Sequence, residues 1–100
     1  MAKQQSSLLE RTKVSVKEPP AFNFVMHNDD LTTSEFVVEV LNTVFFKTYR
    51  ASQKLMLQVH EEGKAIVGTY SYDIAVSKVE LATGMARAAH FPLKLTVEEA

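Results

Sequence analysis

Phe22, Phe24 and Met26 alternate with Asn23, Val25 and His27, a period of two that predicts a β-strand with one face on a core. The alternation stops at Asn28-Asp29-Asp30, whose short side chains bond nearby backbone and favour a turn. Thr32 and Glu35 then have the Thr-x-x-Glu spacing of a capping box, which predicts a helix start. Phe36, Val37, Val40, Leu41, Val44 and Phe45 recur at helical period and form its apolar face, with Glu35, Glu39 and Asn42 off that face. The period breaks around Lys47 and Thr48 and restarts with Ser52, Leu55, Met56 and Val59. Gly63 is placed to end this second helix in a left-handed conformation. So short a connection favours a packed helical hairpin.

From Lys64 onward, Ala65-Ile66-Val67-Gly68-Thr69-Tyr70 is β-branched and aromatic, hence a second strand, with Gly68 marking a bulge or a close backbone approach. Ser71-Tyr72-Asp73 is a helix N-terminal signal, its acid suited to the positive helix end. Ala75, Val79, Ala82, Ala86 and Ala89 follow as the small-residue seam of a third helix, closed by Phe91-Pro92. Leu93, Leu95 and Val97 alternate with Lys94, Thr96 and Glu98 in a last strand. The order β-α-α-β-α-β predicts an α+β two-layer sandwich, a small three-stranded antiparallel sheet packed on three helices over residues 21–100. Residues 1–20, polar and ending in Pro19-Pro20, are expected to form a flexible N-terminal extension.

Composition narrows the function classes. One hundred residues make one domain, and 46% apolar with 23% charged residues is globular composition. The absence of cysteine removes disulfides, thiolate nucleophiles and the usual zinc-finger ligand sets. The formal charge is −1, divided as +2 over residues 1–20 and −3 over the remainder, with no basic stripe, so nucleic acid is not an expected partner. No stretch reaches the ~20 apolar residues of a membrane span and no signal-peptide core is present, so a cytoplasmic chain is expected; a monomer is expected independently of that. Three glycines cannot build a GxGxxG or Walker loop, and no Gly-x-Ser-x-Gly elbow occurs. His27, His60 and His90 are too far apart for a local metal motif, so neither a metal nor another cofactor is expected.

Two polar features remain. Asn28-Asp29-Asp30 ends a buried-type strand at the entrance of a helix, where it forms a simple turn or holds side chains rigidly at a surface edge. His60 lies beside Val59 on the edge of the second helix, either as a partly buried histidine bonded to backbone or as a ligand-facing group.

Asn28-Asp29-Asp30 with Thr32 and Glu35-Phe36-Val37, the segment Leu55-Met56-Leu57-Gln58-Val59-His60-Glu61-Glu62-Gly63-Lys64-Ala65, and His90-Phe91-Pro92-Leu93 together resemble ClpS, the adaptor family of the bacterial ATP-dependent Clp protease. The resemblance spans about residues 20–100 in order. It implies a non-enzymatic adaptor that binds substrates by a free N-terminal bulky residue, Leu, Phe, Tyr or Trp, and delivers them to a ClpA-type AAA+ unfoldase. By position in the motifs, Asn28, Asp29 and His60 would hold the substrate's α-amino group. An ammonium offers three donors and no acceptor, so an amide oxygen, a carboxylate and a neutral imidazole nitrogen are complementary to it, and binding is expected to weaken in acid. Thr32, Val37, Met56, Val59 and Leu93 match positions that line or border the side-chain pocket. Ser34 stands where the family often has a bulky Met at the pocket rim, which implies a wider or wetter pocket. Asp73 and Lys78 match positions that meet the ATPase N-terminal domain, and the N-terminal extension would engage the ATPase during delivery. Two other classes stay open: an interaction domain that binds a partner surface without N-terminal specificity, and a metal-dependent hydrolase built on Asp29, Asp30 and His60.

Overall fold

Strand β1 (Phe22–His27) is the centre of the molecule because it is flanked on both edges. The computed structural model describes residues 20–100, in which β1 is followed by α1 (Ser34–Thr43), α2 (Tyr49–Glu62), β2 (Lys64–Tyr70), α3 (Tyr72–Ala88) and β3 (Lys94–Glu99). The extension expected over residues 1–20 lies, apart from Pro20, outside the described residues. The sheet order is β2-β1-β3 with both pairings antiparallel, so the β-α-α-β-α-β sandwich expected from the periodicities is the architecture observed.

Alternation in β1 points Phe24 and Met26 into the core beside Leu41, Val40, Val44 and Phe45 of the α1 segment, and the Phe24 and Phe45 rings meet edge to face, centroids 4.4 Å apart. The opposite face departs from a simple polar-out pattern. Val25 is also buried, standing in register between Ile66 of β2 and Thr96 of β3. The β1–β2 register skips Val67, since Phe24 faces Gly68 while Val25 faces Ile66, and this is a β-bulge. A Cβ on Gly68 would stand 2.5 Å from the Tyr70 hydroxyl oxygen, so the bulge and the close approach fall at the same place.

The start of α1 differs from the expected capping box. Thr33, not Thr32, is the cap: its hydroxyl accepts from the Phe36 amide at 3.2 Å. Thr32 instead donates its hydroxyl to the Asp29 carboxylate, at 2.7 Å, a charge-assisted bond that orients its side chain toward the turn. The helical hairpin forms as expected, and Asn42 explains the polar residue on its buried stripe. Its amide donates to the buried Ser52 hydroxyl at 2.8 Å and to the Lys47 carbonyl at 2.9 Å, tying α1, the connection and α2 together. Gly63 ends α2 at φ 89°, the left-handed C-cap that its position predicts. The small-residue seam of α3 holds at Ala75, Ala82 and Ala86, which are buried, but Ala89 is exposed. The helix has already ended there, and the chain reverses at His90, φ 64°, whose successor Phe91 donates its amide to the Ala86 carbonyl at 2.8 Å.

Candidate functional site

The end of β1 and the end of α2 are stitched together. His27 pairs with Lys64, and the Asn28 amide donates to the Gly63 carbonyl at 2.8 Å, which sets the Asn28-Asp29-Asp30 turn beside the last turn of α2 and His60. Asp29 organises that turn. One carboxylate oxygen accepts the Leu31 amide at 2.8 Å and the Thr32 amide at 2.7 Å, and the other accepts the Thr32 hydroxyl. Burial pushes the Asp29 carboxyl up, but the Thr32 hydroxyl and the Thr32 and Leu31 amides together outweigh it, so its pKa lies below the ordinary aspartate value. The site therefore holds a carboxylate whose orientation is fixed by three donors before any ligand arrives.

Between this turn, the first turn of α1 and the last two turns of α2 opens a cavity of about 470 Å³. Asn28, Asp29, Thr32, Ser34, Val37, Met56, Val59 and His60 all line it. Leu93 does not; it is buried in the core cluster. Val37 and Val59 are themselves core residues, so the apolar floor is the outer surface of the packed interior and shares its rigidity. Asp30, Leu31, Thr33 and Glu35 complete the lining. Glu35 and Thr33 carried no pocket signal in the sequence beyond their place at a helix start, and Leu31 none beyond its neighbours. Among the described residues, no lysine or arginine lines the cavity, and the partial negative charge at the C-terminal end of α2 adds to the acidic bias. One end thus suits a cation with several donors and the other a large apolar group. Among the described residues, no group of three or more His, Cys, Asp or Glu is placed to hold a metal ion, Asp29, Asp30 and His60 included.

Asp73 and Lys78 lie elsewhere, in a cleft of about 370 Å³ with Phe46, Ile74 and Leu81. Lys78 is not a free surface cation. Its ammonium donates to the Val44 carbonyl at 2.8 Å and stands 5.3 to 5.5 Å from the rings of Phe45, Phe46 and Tyr70. Phe46, 81% exposed, is the most prominent apolar side chain at this cleft.

Two titrating groups near the β1 end give the domain a stepped acid sensitivity. Burial, then the charges of Lys94 and Lys64, push the His27 imidazole below 6.5, with Glu98 opposing, and its ring bonds the Thr96 hydroxyl at 2.8 Å. Both folded-state pKa values are depressed, so each group contributes stability that is present above its unfolded value and lost as the pH falls through its folded value. Chemical denaturation across pH 8 to 3 is expected to show one decline beginning below about 6.5, removed by His27→Gln, and a second below about 3.8, reduced by Asp29→Asn. Superimposable profiles for both variants and the parent would contradict these assignments.

Residues 17–96 match the family model described as ATP-dependent Clp protease adaptor protein ClpS. The chain is 43% identical over 95 residues to the ATP-dependent Clp protease adapter protein ClpS of Acetivibrio thermocellus, covering 95% of this chain and 96% of the relative. It is 44% identical over 103 residues to that of Desulforapulum autotrophicum, covering 99% of each. Among solved structures, Agrobacterium tumefaciens ClpS2 bound to L-phenylalaninamide matches with a TM-score of 0.81 and 35% identity, over 83% of this chain and all of the other.

Proposed function

The chain belongs to the ClpS family of Clp protease adaptors, and from that premise we propose that it captures proteins by a free N-terminal Leu, Phe, Tyr or Trp and passes them to a Clp AAA+ unfoldase in the cytoplasm. The observation that carries this reading is the single cavity in which Asn28, Asp29 and His60 stand beside Val37, Met56 and Val59. Asn28, Asp29 and His60 take the α-ammonium, each as an acceptor, and Thr32, Ser34, Val37, Met56 and Val59 surround the side chain. Leu93 is buried in the same core cluster as Val37 and Val59. The ligand of the Agrobacterium relative, L-phenylalaninamide, has the same two parts, a free amine and an aromatic side chain.

Both parts are needed. Burying an aromatic side chain of 150–250 Å² contributes about 4 to 6 kcal/mol gross, much of it offset by the costs of association. An internal phenylalanine offers the same ring without the ammonium, so the clamp is what distinguishes a chain start. The adaptor makes and breaks no bond; its docking surface for the unfoldase is the Asp73–Lys78 cleft, with Asp73 as the exposed charge and Lys78 bracing the apolar side chains.

Fluorescence anisotropy with peptides that differ only at the start tests this reading. Free Phe, Leu, Tyr and Trp peptides are expected to bind, N-acetyl-Phe to lose binding, and a Val-led peptide to report how far Ser34 opens the rim. Equal binding of free and acetylated Phe would instead support a partner-surface domain without N-terminal specificity.

A further inference from the structure

The cavity does not end at its rim. A second cleft of about 430 Å³ shares Ser34, Glu35 and Met56 with it and continues between α1 and α2 past Val38 to Gln53 and Tyr49. On α2, Tyr49, Gln53, Met56 and His60 follow one another at spacings of four, three and four, so they form one stripe along the helix. At 1.5 Å per residue, Met56 lies about 6 Å, Gln53 about 10 Å and Tyr49 about 16 Å along the axis from His60. An extended chain advances about 3.3 Å per residue, so a polypeptide held at His60 and leaving over Met56 has its next three to five residues along this stripe.

Resting on the reading of the first cavity as a chain-start site, we infer that the α1–α2 cleft is a second subsite that holds the residues immediately after the substrate's first, with Tyr49 and Gln53 as its specificity-determining residues. Its chemistry suits an extended polypeptide. Gln53 donates its amide nitrogen to the Tyr49 hydroxyl at 2.6 Å, which pins the two side chains together and turns the amide oxygen into an acceptor for a backbone N–H. The Glu35 carboxylate on the facing helix is a second acceptor, and the exposed ring of Tyr49 offers a stacking face. Among the described residues, neither cleft is lined by lysine or arginine, so neutral or basic residues fit and acidic ones meet the Glu35 carboxylate.

Calorimetric titration of the full chain with L-phenylalaninamide and with C-amidated Phe-led peptides of two to six residues tests the subsite. Affinity is expected to rise about tenfold from the amide to the peptide of four or five residues and then level off, with Glu at the third position reducing that gain. In Tyr49→Ala and Gln53→Ala the gain disappears while phenylalaninamide binds as in the parent; thermal melts confirm that these surface variants are folded. The inference is overturned if affinity is flat beyond the amide, if the variants keep the gain, or if they weaken amide and peptides alike. Failure of phenylalaninamide itself to bind the parent is a different result, which removes the chain-start reading and the subsite together.

Discussion

Asp29→Asn is expected to reduce affinity for a free Phe-led peptide about 30- to 150-fold while leaving the domain folded. The parent carboxylate has one oxygen committed to the Leu31 and Thr32 amides and a second that, among the described residues, accepts the Thr32 hydroxyl alone, leaving lone pairs for a ligand. Asparagine can keep the first set of bonds through its carbonyl oxygen, so the turn persists. Its second atom becomes an NH₂ donor, which points a proton at an ammonium that has only protons to offer. A hydrogen bond to a charged group contributes about 1.5 to 3 kcal/mol, and the upper part of that range gives the stated loss. Asp29→Ala should bind no better and be less stable, since it also removes the two turn bonds. Anisotropy titration of both variants at neutral pH, with far-ultraviolet circular dichroism as the folding control, decides the matter. Affinity within threefold of the parent for Asp29→Asn would exclude the carboxylate from the amine site and return it to a purely structural role in the turn.

The second large effect lies in the core. Phe24→Ala should cost about 3 to 5 kcal/mol, a substantial part of the 5 to 15 kcal/mol available to a domain of this size. Phe24 is 0% exposed, sits on the central strand between β2 and β3, and meets Phe45 edge to face, so the void left by its ring is walled on all sides. Backbone pairing on both edges of β1 limits the collapse that would otherwise fill that void. Urea denaturation is expected to show a midpoint far below the parent's at a similar slope, with Phe24→Leu losing much less. A loss under about 1.5 kcal/mol for the alanine would mean that the Phe45 side of the core repacks freely.

Periodicity alone determines the six elements and their order. Each depends on contacts within a few residues, such as the alternation of β1, the 3.6-residue stripes of α1 and α2, and the demand for a glycine at φ 89° after Glu62. The motif pair around Asn28 and His60 was legible for the same reason, as two local patterns. Their meeting was not, because 31 positions separate Asp29 from His60 and nothing in either segment encodes the distance between them. That meeting follows from the pairing of His27 with Lys64 and the bond from Asn28 to Gly63, both long-range contacts. Competition between nearby partners decided finer points. The Thr-x-x-Glu spacing pointed to Thr32 as the cap, but the helix uses Thr33, while the Thr32 hydroxyl donates to the turn carboxylate of Asp29. Lys78, matched by motif to a position that meets the ATPase, is surrounded by a carbonyl and two aromatic rings of the α1–α2 connection and by Tyr70 of β2, which only the tertiary structure brings together. Leu93 matched a pocket position by motif but is buried in the core cluster, while Tyr49 and Gln53, on the helical line of Met56 and His60, line a cleft with Ser34, Glu35 and Val38 only because α1 stands beside α2. Local chemistry writes the elements; which side chains share a cavity is decided only when burial of the apolar faces brings those elements together.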